Sequence, residues 1–362
     1  MKVLFCFLFL FSIEWLCAQE MGEQGIEVRE KIGFLAAHHG TLAHLPVSNA
    51  KAVELTYYFH TSGAKKWHTI YRFPTIGGTL FFGSVGNNTL LGRFIGLYGF
   101  VELPMVKVKR FEWNWKLGCG VGYTGKVFDG TINPKENAIS SHINAQICVG
   151  MKTIYRFGKN GIALGLDLTH FSNASFKVPN FGINLPFVSL GYARTLITAK
   201  KTQEIGRSEL PLKQFLFGAQ AIISAKQALP VGGKRYPVFG LYAYSRYFFS
   251  QKAGIELGLD AISKQLIMSY EPLLHKSQAS ILQFGIYAGY LVPFDRFHFV
   301  FGMGAYLRDV YKTDSPVYHR IGFRYQFSNG LQANFTLKTH FAKADYFELG
   351  LGYTFNYKQD EK

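Results

Sequence analysis

The clearest chemistry in the chain sits in His170-Phe171-Ser172-Asn173-Ala174, followed at once by Pro179-Asn180-Phe181-Gly182-Ile183-Asn184. An imidazole that can accept a proton beside a hydroxyl that can lose one is the smallest activated nucleophile, and its natural target is a carbonyl carbon. Donors among Asn173, Asn180 and Gly182 could hold the oxyanion such an attack creates, a contribution of roughly 3 to 4 kcal/mol per donor. The pair works only if both side chains share a face. On a β-strand, residues i and i+2 do so, about 6.5 to 7 Å apart along the chain.

The surrounding residues have the strand period. Ile162, Leu164, Leu166, Leu168, His170 and Ser172 fall on one face, and Ala163, Gly165, Asp167 and Thr169 on the other. In the next segment Asn184, Val188, Leu190 and Tyr192 share the outward parity, which puts Asn184 on the side of His170. Alternation runs through most of the chain. Trp113, Trp115, Leu117, Cys119, Val121 and Tyr123 oppose Asn114, Lys116, Gly118, Gly120 and Gly122, while Ile143, Ala145, Ile147, Val149 and Met151 oppose His142, Asn144, Gln146, Cys148 and Gly150. Cys119 is thus on an apolar face and Cys148 on a polar one, which argues against a disulfide.

The segments run about 10 to 14 residues, the span of a tilted transmembrane strand, whereas strands of soluble sandwiches average about 5 to 6. Aromatics gather at segment ends, as in Tyr242, Tyr244, Tyr247, Phe248 and Phe249 or Tyr353, Phe355 and Tyr357, where interfacial girdles would stand. The 362 residues are 48% hydrophobic, 16% aromatic and 17% charged, with 38 glycines and a formal charge of +16. That aromatic content excludes disorder, four cysteines exclude a disulfide scaffold, and no apolar run beyond the N-terminus could form a membrane-crossing helix. Met1-Lys2, the apolar run from Val3 to Ile13 and Leu16-Cys17-Ala18-Gln19 read as a signal peptide over residues 1–19. The fold class expected is all-β, an antiparallel transmembrane barrel of a Gram-negative outer membrane.

The chain is also a duplication, with a first barrel repeat over 20–200 and a second over 201–362. Leu45-Pro46-Val47 recurs as Leu229-Pro230-Val231, Asn160-Gly161 as Asn329-Gly330, Leu168-Thr169-His170-Phe171 as Lys338-Thr339-His340-Phe341, and Gly191-Tyr192 as Gly352-Tyr353, all in the same order. Arg320, Arg324, Lys338, Asn114, Lys116 and His142 take interior parity and suit a wide, wet lumen, so one barrel of about 14 to 16 strands is expected, with two small barrels in tandem as the alternative. The second copy is expected to be inert. Ala342 stands where Ser172 would be, and one extra residue before His340 moves that histidine to the interior face.

With both termini periplasmic, odd strands run outward, and His170 and Ser172 come to lie at the outer-leaflet interface, facing lipid. At these residues the chain resembles the lipid A 3-O-deacylases of the PagL type, whose signature is His-x-Ser-Asn followed by Pro-Asn-x-Gly-x-Glu. The match runs through His170, Ser172, Asn173, Ala174, Pro179, Asn180 and Gly182. The resemblance implies a barrel enzyme that cleaves the 3-position acyl ester of lipid A without metal or other cofactor, with His170 as general base and Ser172 as nucleophile. Its partner would be lipopolysaccharide, with Lys177 and Arg194 as candidate phosphate ligands. The family's acidic residue falls on Asn184, an amide that can orient an imidazole but brings no charge. Two other functions stay open, a porin-like channel and a structural surface barrel. No metal spacing, phosphate loop or nucleic-acid signature appears, and after export the +16 charge fits lipid phosphates better than nucleic acid.

Overall fold

A computed structural model describes residues 21–198, 210–273, 277–310, 315–341 and 343–357. The signal peptide expected at 1–19 and Ala342 lie outside the described residues. The first half forms β1 (Met21–Gly33), β2 (Ala50–Thr61), β3 (Thr75–Ser84), β4 (Arg93–Val108), β5 (Phe111–Thr124), β6 (Ile143–Phe157), β7 (Asn160–Ser172) and β8 (Ile183–Ile197). The second forms β9 (Phe215–Gln227), β10 (Arg235–Ser250), β11 (Ala253–Lys264), β12 (Leu282–Phe294), β13 (Phe297–Arg308), β14 (Val317–Gln326), β15 (Leu331–His340) and β16 (Lys343–Thr354). Neighbours pair antiparallel, and each half closes on itself: Val28 of β1 pairs with Tyr192 of β8, and Ala221 of β9 with Leu351 of β16.

These are two eight-stranded barrels in tandem, the alternative expected from the sequence rather than the one wide barrel it favoured. The reason lies in the interiors. The interior cations find partners within their own half: Lys116 donates to Tyr98 Oη at 3.2 Å, Lys338 to Tyr306 Oη at 2.8 Å, and others to carboxylates. Lys31 Nζ donates to Glu54 at 3.0 Å and Asp167 at 2.7 Å, and Lys152 bridges Glu27 and Glu102 at 3.0 and 2.6 Å. In the second barrel Arg320 binds Asp260 and Glu348, each at 2.7 Å, while Arg246 and Arg324 share Glu256. Tyrosines fill the remaining width by lying over glycines. A Cβ on Gly258 would come within 2.2 Å of the Tyr242 ring. Tyr242, Tyr244 and Phe248 are therefore buried in the second barrel and form no interfacial girdle, whereas Tyr353 and Phe355 are exposed. His142 does not face a lumen. It is exposed just before β6, stacked on Tyr123 with its Nδ1 2.8 Å from Thr124 O.

Outside, the alternation is inverted relative to a soluble protein. Leu164 and Leu166 of β7 are 60% and 55% exposed, whereas inward-facing charges such as Glu27 of β1 are almost wholly covered. Strands of 10 to 16 residues carrying this pattern fit hydrocarbon, where closure also leaves no unpaired edge. Cys119 and Cys148 are both free thiols, Cys148 buried inside and Cys119 on the outer face.

The barrels touch at both ends. At one, Tyr71 Oη donates to Pro293 O at 3.0 Å, and Trp67 stands edge-on to Phe294. At the other, the loop after β7 meets the facing ends of β9 and β10: Val178 N–H donates to Gln227 Oε1 at 2.8 Å, Gln227 N–H to Ser175 O at 3.3 Å, and the Arg235 guanidinium covers the Phe176 ring.

Candidate functional site

The site grows out of the β7–β8 hairpin. Register sets His170 directly opposite Asn184. Paired residues on one face of an antiparallel ladder have adjacent side chains, and His170 Nδ1 lies 2.6 Å from Asn184 Oδ1. A carbonyl oxygen only accepts, so Nδ1 carries the proton and Nε2 of the neutral ring is bare. Ser172, two residues on, shares the parity and lies at the strand end. It is 5% exposed, and its Oγ has no hydrogen-bond partner among the described residues. The arrangement thus offers a basic nitrogen and an uncommitted hydroxyl on the outward face of one strand end.

Loop 173–182 is held from several sides. Ala174 and Ser175 turn with φ of 50° and 60°, and Asn173 O accepts from Phe176 N–H at 3.1 Å. Asn173 N–H donates to Asn180 Oδ1 at 3.0 Å, and Asn173 Nδ2 donates to Ser141 Oγ at 2.8 Å. Gly182 N–H is likewise taken, by Ala138 O at 2.9 Å. Of the three residues expected to supply oxyanion donors, Asn173 and Gly182 are therefore committed to the loop, and the Asn180 amide NH2 is the donor left over. Gly182 has a different task. With φ of +77° it runs under the imidazole so closely that a Cβ would stand 2.8 Å from His170 Cε1.

Lys177 lies in the same loop, half-buried, with its N–H 3.3 Å from Asn173 Oδ1. Arg194 does not join the site. It pairs with Asn160 at the start of β7, ten residues from His170 and so about 33 Å down the strand. Asp167 points inward to Lys31 and offers no substitute for an acidic partner of His170. His340 is interior as its parity implied, bound to Val317 O and Asp345.

Below His170 the outer wall carries a shallow groove of about 450 Å³ lined by Val149, Met151, Leu166, Leu168, Pro186 and Val188. Three contributors escaped sequence reasoning: His38, whose Nδ1 is 3.0 Å from Asn184 Nδ2, Ser141, and Gln227 of the second barrel. Each is remote in sequence, and barrel closure alone brings the loop after β1 next to β8.

Residues 51–193 match the family model described as lipid A 3-O-deacylase (PagL), and residues 212–357 match that of the acyloxyacyl hydrolase C-terminal domain. No curated protein matches the chain. Among solved structures, engineered variants of the Rhodopseudomonas blastica porin align over 92% of this chain and 99% of theirs, at 9% identity with TM-scores of 0.20 to 0.21. So low a likeness carries no argument.

Proposed function

Because the chain belongs to the lipid A 3-O-deacylase (PagL) family, an ester hydrolase family, we propose that it is an outer-membrane serine esterase that removes the 3-position acyl chain of lipid A. The observation that carries the mechanism is the His170–Asn184 hydrogen bond, which leaves Nε2 bare on the face of Ser172. Ser172 Oγ attacks the ester carbonyl as its proton passes to His170 Nε2, and the Asn180 amide steadies the oxyanion. Collapse breaks the ester C–O bond, and His170 gives the proton to the departing sugar oxygen, which leaves as a hydroxyl. Water, deprotonated by the same nitrogen, then frees the 3-hydroxy fatty acid from Ser172. The groove beneath His170 takes the acyl chain, and Lys177 meets a phosphate. A channel is disfavoured, because both interiors are crossed by paired charges.

Mass spectrometry of lipid A before and after exposure to the purified protein tests the proposal. The expected product has lost one 3-hydroxyacyl chain, which appears as free acid, and unchanged lipid A overturns the reading. Two variants probe the loop. Gly182→Ala drives a methyl group into the imidazole and is expected to lower kcat by about 100-fold, the scale of an ångström's misplacement, with barrel melting little altered. Gln227→Ala removes the side-chain acceptor of Val178 N–H. One hydrogen bond of about 0.5 to 1.5 kcal/mol predicts a 2- to 10-fold loss of hydrolysis, measurable by fatty-acid release, and ties the second barrel to the site in the first.

A further inference from the structure

An amide in contact with a catalytic imidazole poses a problem that a carboxylate does not. Both carboxylate oxygens accept, so either one fixes the proton on Nδ1 and frees Nε2. The two ends of an amide are nearly the same shape but opposite in role. If Asn184 turned over, its Nδ2–H would donate to His170 Nδ1, the proton would reside on Nε2, and the base would be lost. The bond between His170 and Asn184 sets the first state in the amide orientation observed, but does not by itself keep the amide from turning over.

His38 supplies the choice. Its Nε2 lies 3.0 Å from Phe181 O, an obligate acceptor, so Nε2 carries the proton and Nδ1 is bare. That bare nitrogen lies 3.0 Å from Asn184 Nδ2 and accepts its N–H. With Nδ2 so engaged, Oδ1 must face His170. The approach of His38 Nδ1 to Ala36 O is longer, at 3.3 Å, and a proton there would forfeit the two shorter bonds, to Phe181 O and from the Asn184 amide. The backbone carries His38 to this place, since Ala36 N–H donates to Asn184 O at 2.9 Å and ties the loop after β1 to β8.

We propose that His38 is a positioning residue that orients the Asn184 amide and thereby holds His170 in the tautomer able to deprotonate Ser172. Together, His38 and Asn184 do what one carboxylate would do alone. The assignment rests on the serine esterase reading and is tested in the full-length protein with lipopolysaccharide as substrate. His38→Ala is expected to reduce kcat by about 10- to 100-fold at unchanged KM, short of the roughly ten-thousand-fold cost of imposing the wrong tautomer outright. Adding Asn184→Asp to His38→Ala should restore activity to within a few fold of the parent, because an isosteric carboxylate presents an acceptor to Nδ1 whichever way it turns. Restoration also excludes misfolding as the cause of the first loss. Wild-type rates in His38→Ala, a fall confined to KM, or a double variant as slow as the single one would each overturn the role of His38. Ser172→Ala separates the two levels: full activity there defeats the esterase reading, whereas an inactive Ser172→Ala beside a fully active His38→Ala defeats the His38 assignment alone.

Discussion

Ser172→Ala is expected to abolish release of 3-hydroxy fatty acid from lipopolysaccharide while leaving the barrel intact. The loss should be at least about ten-thousand-fold, since removing the nucleophile of a comparable serine hydrolase costs roughly a million-fold in kcat. Structural damage is not expected, because the missing Oγ has no hydrogen-bond partner among the described residues. Ser172 sits at the very end of β7, so its backbone pairing opposite Ala145 is unaffected. His170→Ala should be about as damaging, and the double variant scarcely worse, because base and nucleophile act as one unit. Released fatty acid measured by gas chromatography, beside a heat-unfolding curve of the same preparation, separates catalysis from folding. Undiminished release from a folded Ser172→Ala barrel would falsify the serine mechanism.

Parity along single strands made much of this arrangement legible. Alternation alone puts His170 and Ser172 on one face, sends Asp167 inward, separates Cys119 from Cys148 and turns His340 into the second barrel. Partnership across the barrel is another matter. Strand periodicity is the same for one ring or two, and the outcome depends on which strand β8 meets. It meets β1, as the Val28–Tyr192 pairing records. The carboxylates of the interior arginines come from other strands: Asp260 is 60 residues from Arg320, and Glu256 is 68 from Arg324. The charge of Arg194 suits a phosphate, but strand direction carries it to the far end of β8, opposite Asn160. The tie from His38 to Asn184 spans 146 residues and exists only because the sheet closes. Local chemistry was therefore visible where two residues share a strand, and hidden where closure makes neighbours.

Arg320→Met should destabilise the second barrel by about 3 to 5 kcal/mol, the usual cost of stranding a buried charge. Arg320 is fully enclosed, with Nη2 and Nη1 on the Asp260 carboxylate at 2.7 and 2.9 Å and Nε and Nη2 on Glu348 at 2.7 and 3.0 Å. Removing the guanidinium leaves two carboxylates facing each other inside a narrow ring, with Thr336 Oγ1 on Glu348 as partial compensation at 2.7 Å. Replacing Arg320, Asp260 and Glu348 together by apolar residues of similar volume should be far milder, because no orphaned charge remains. Denaturant unfolding in detergent micelles would resolve the two cases, and equal destabilisation by both would argue that packing rather than charge holds this layer. Fatty-acid release offers a second measure. Arg320 lies deep in a barrel that meets the His170 loop only at its rim, so the triple variant should retain hydrolysis wherever Gln227 keeps its hold on Val178.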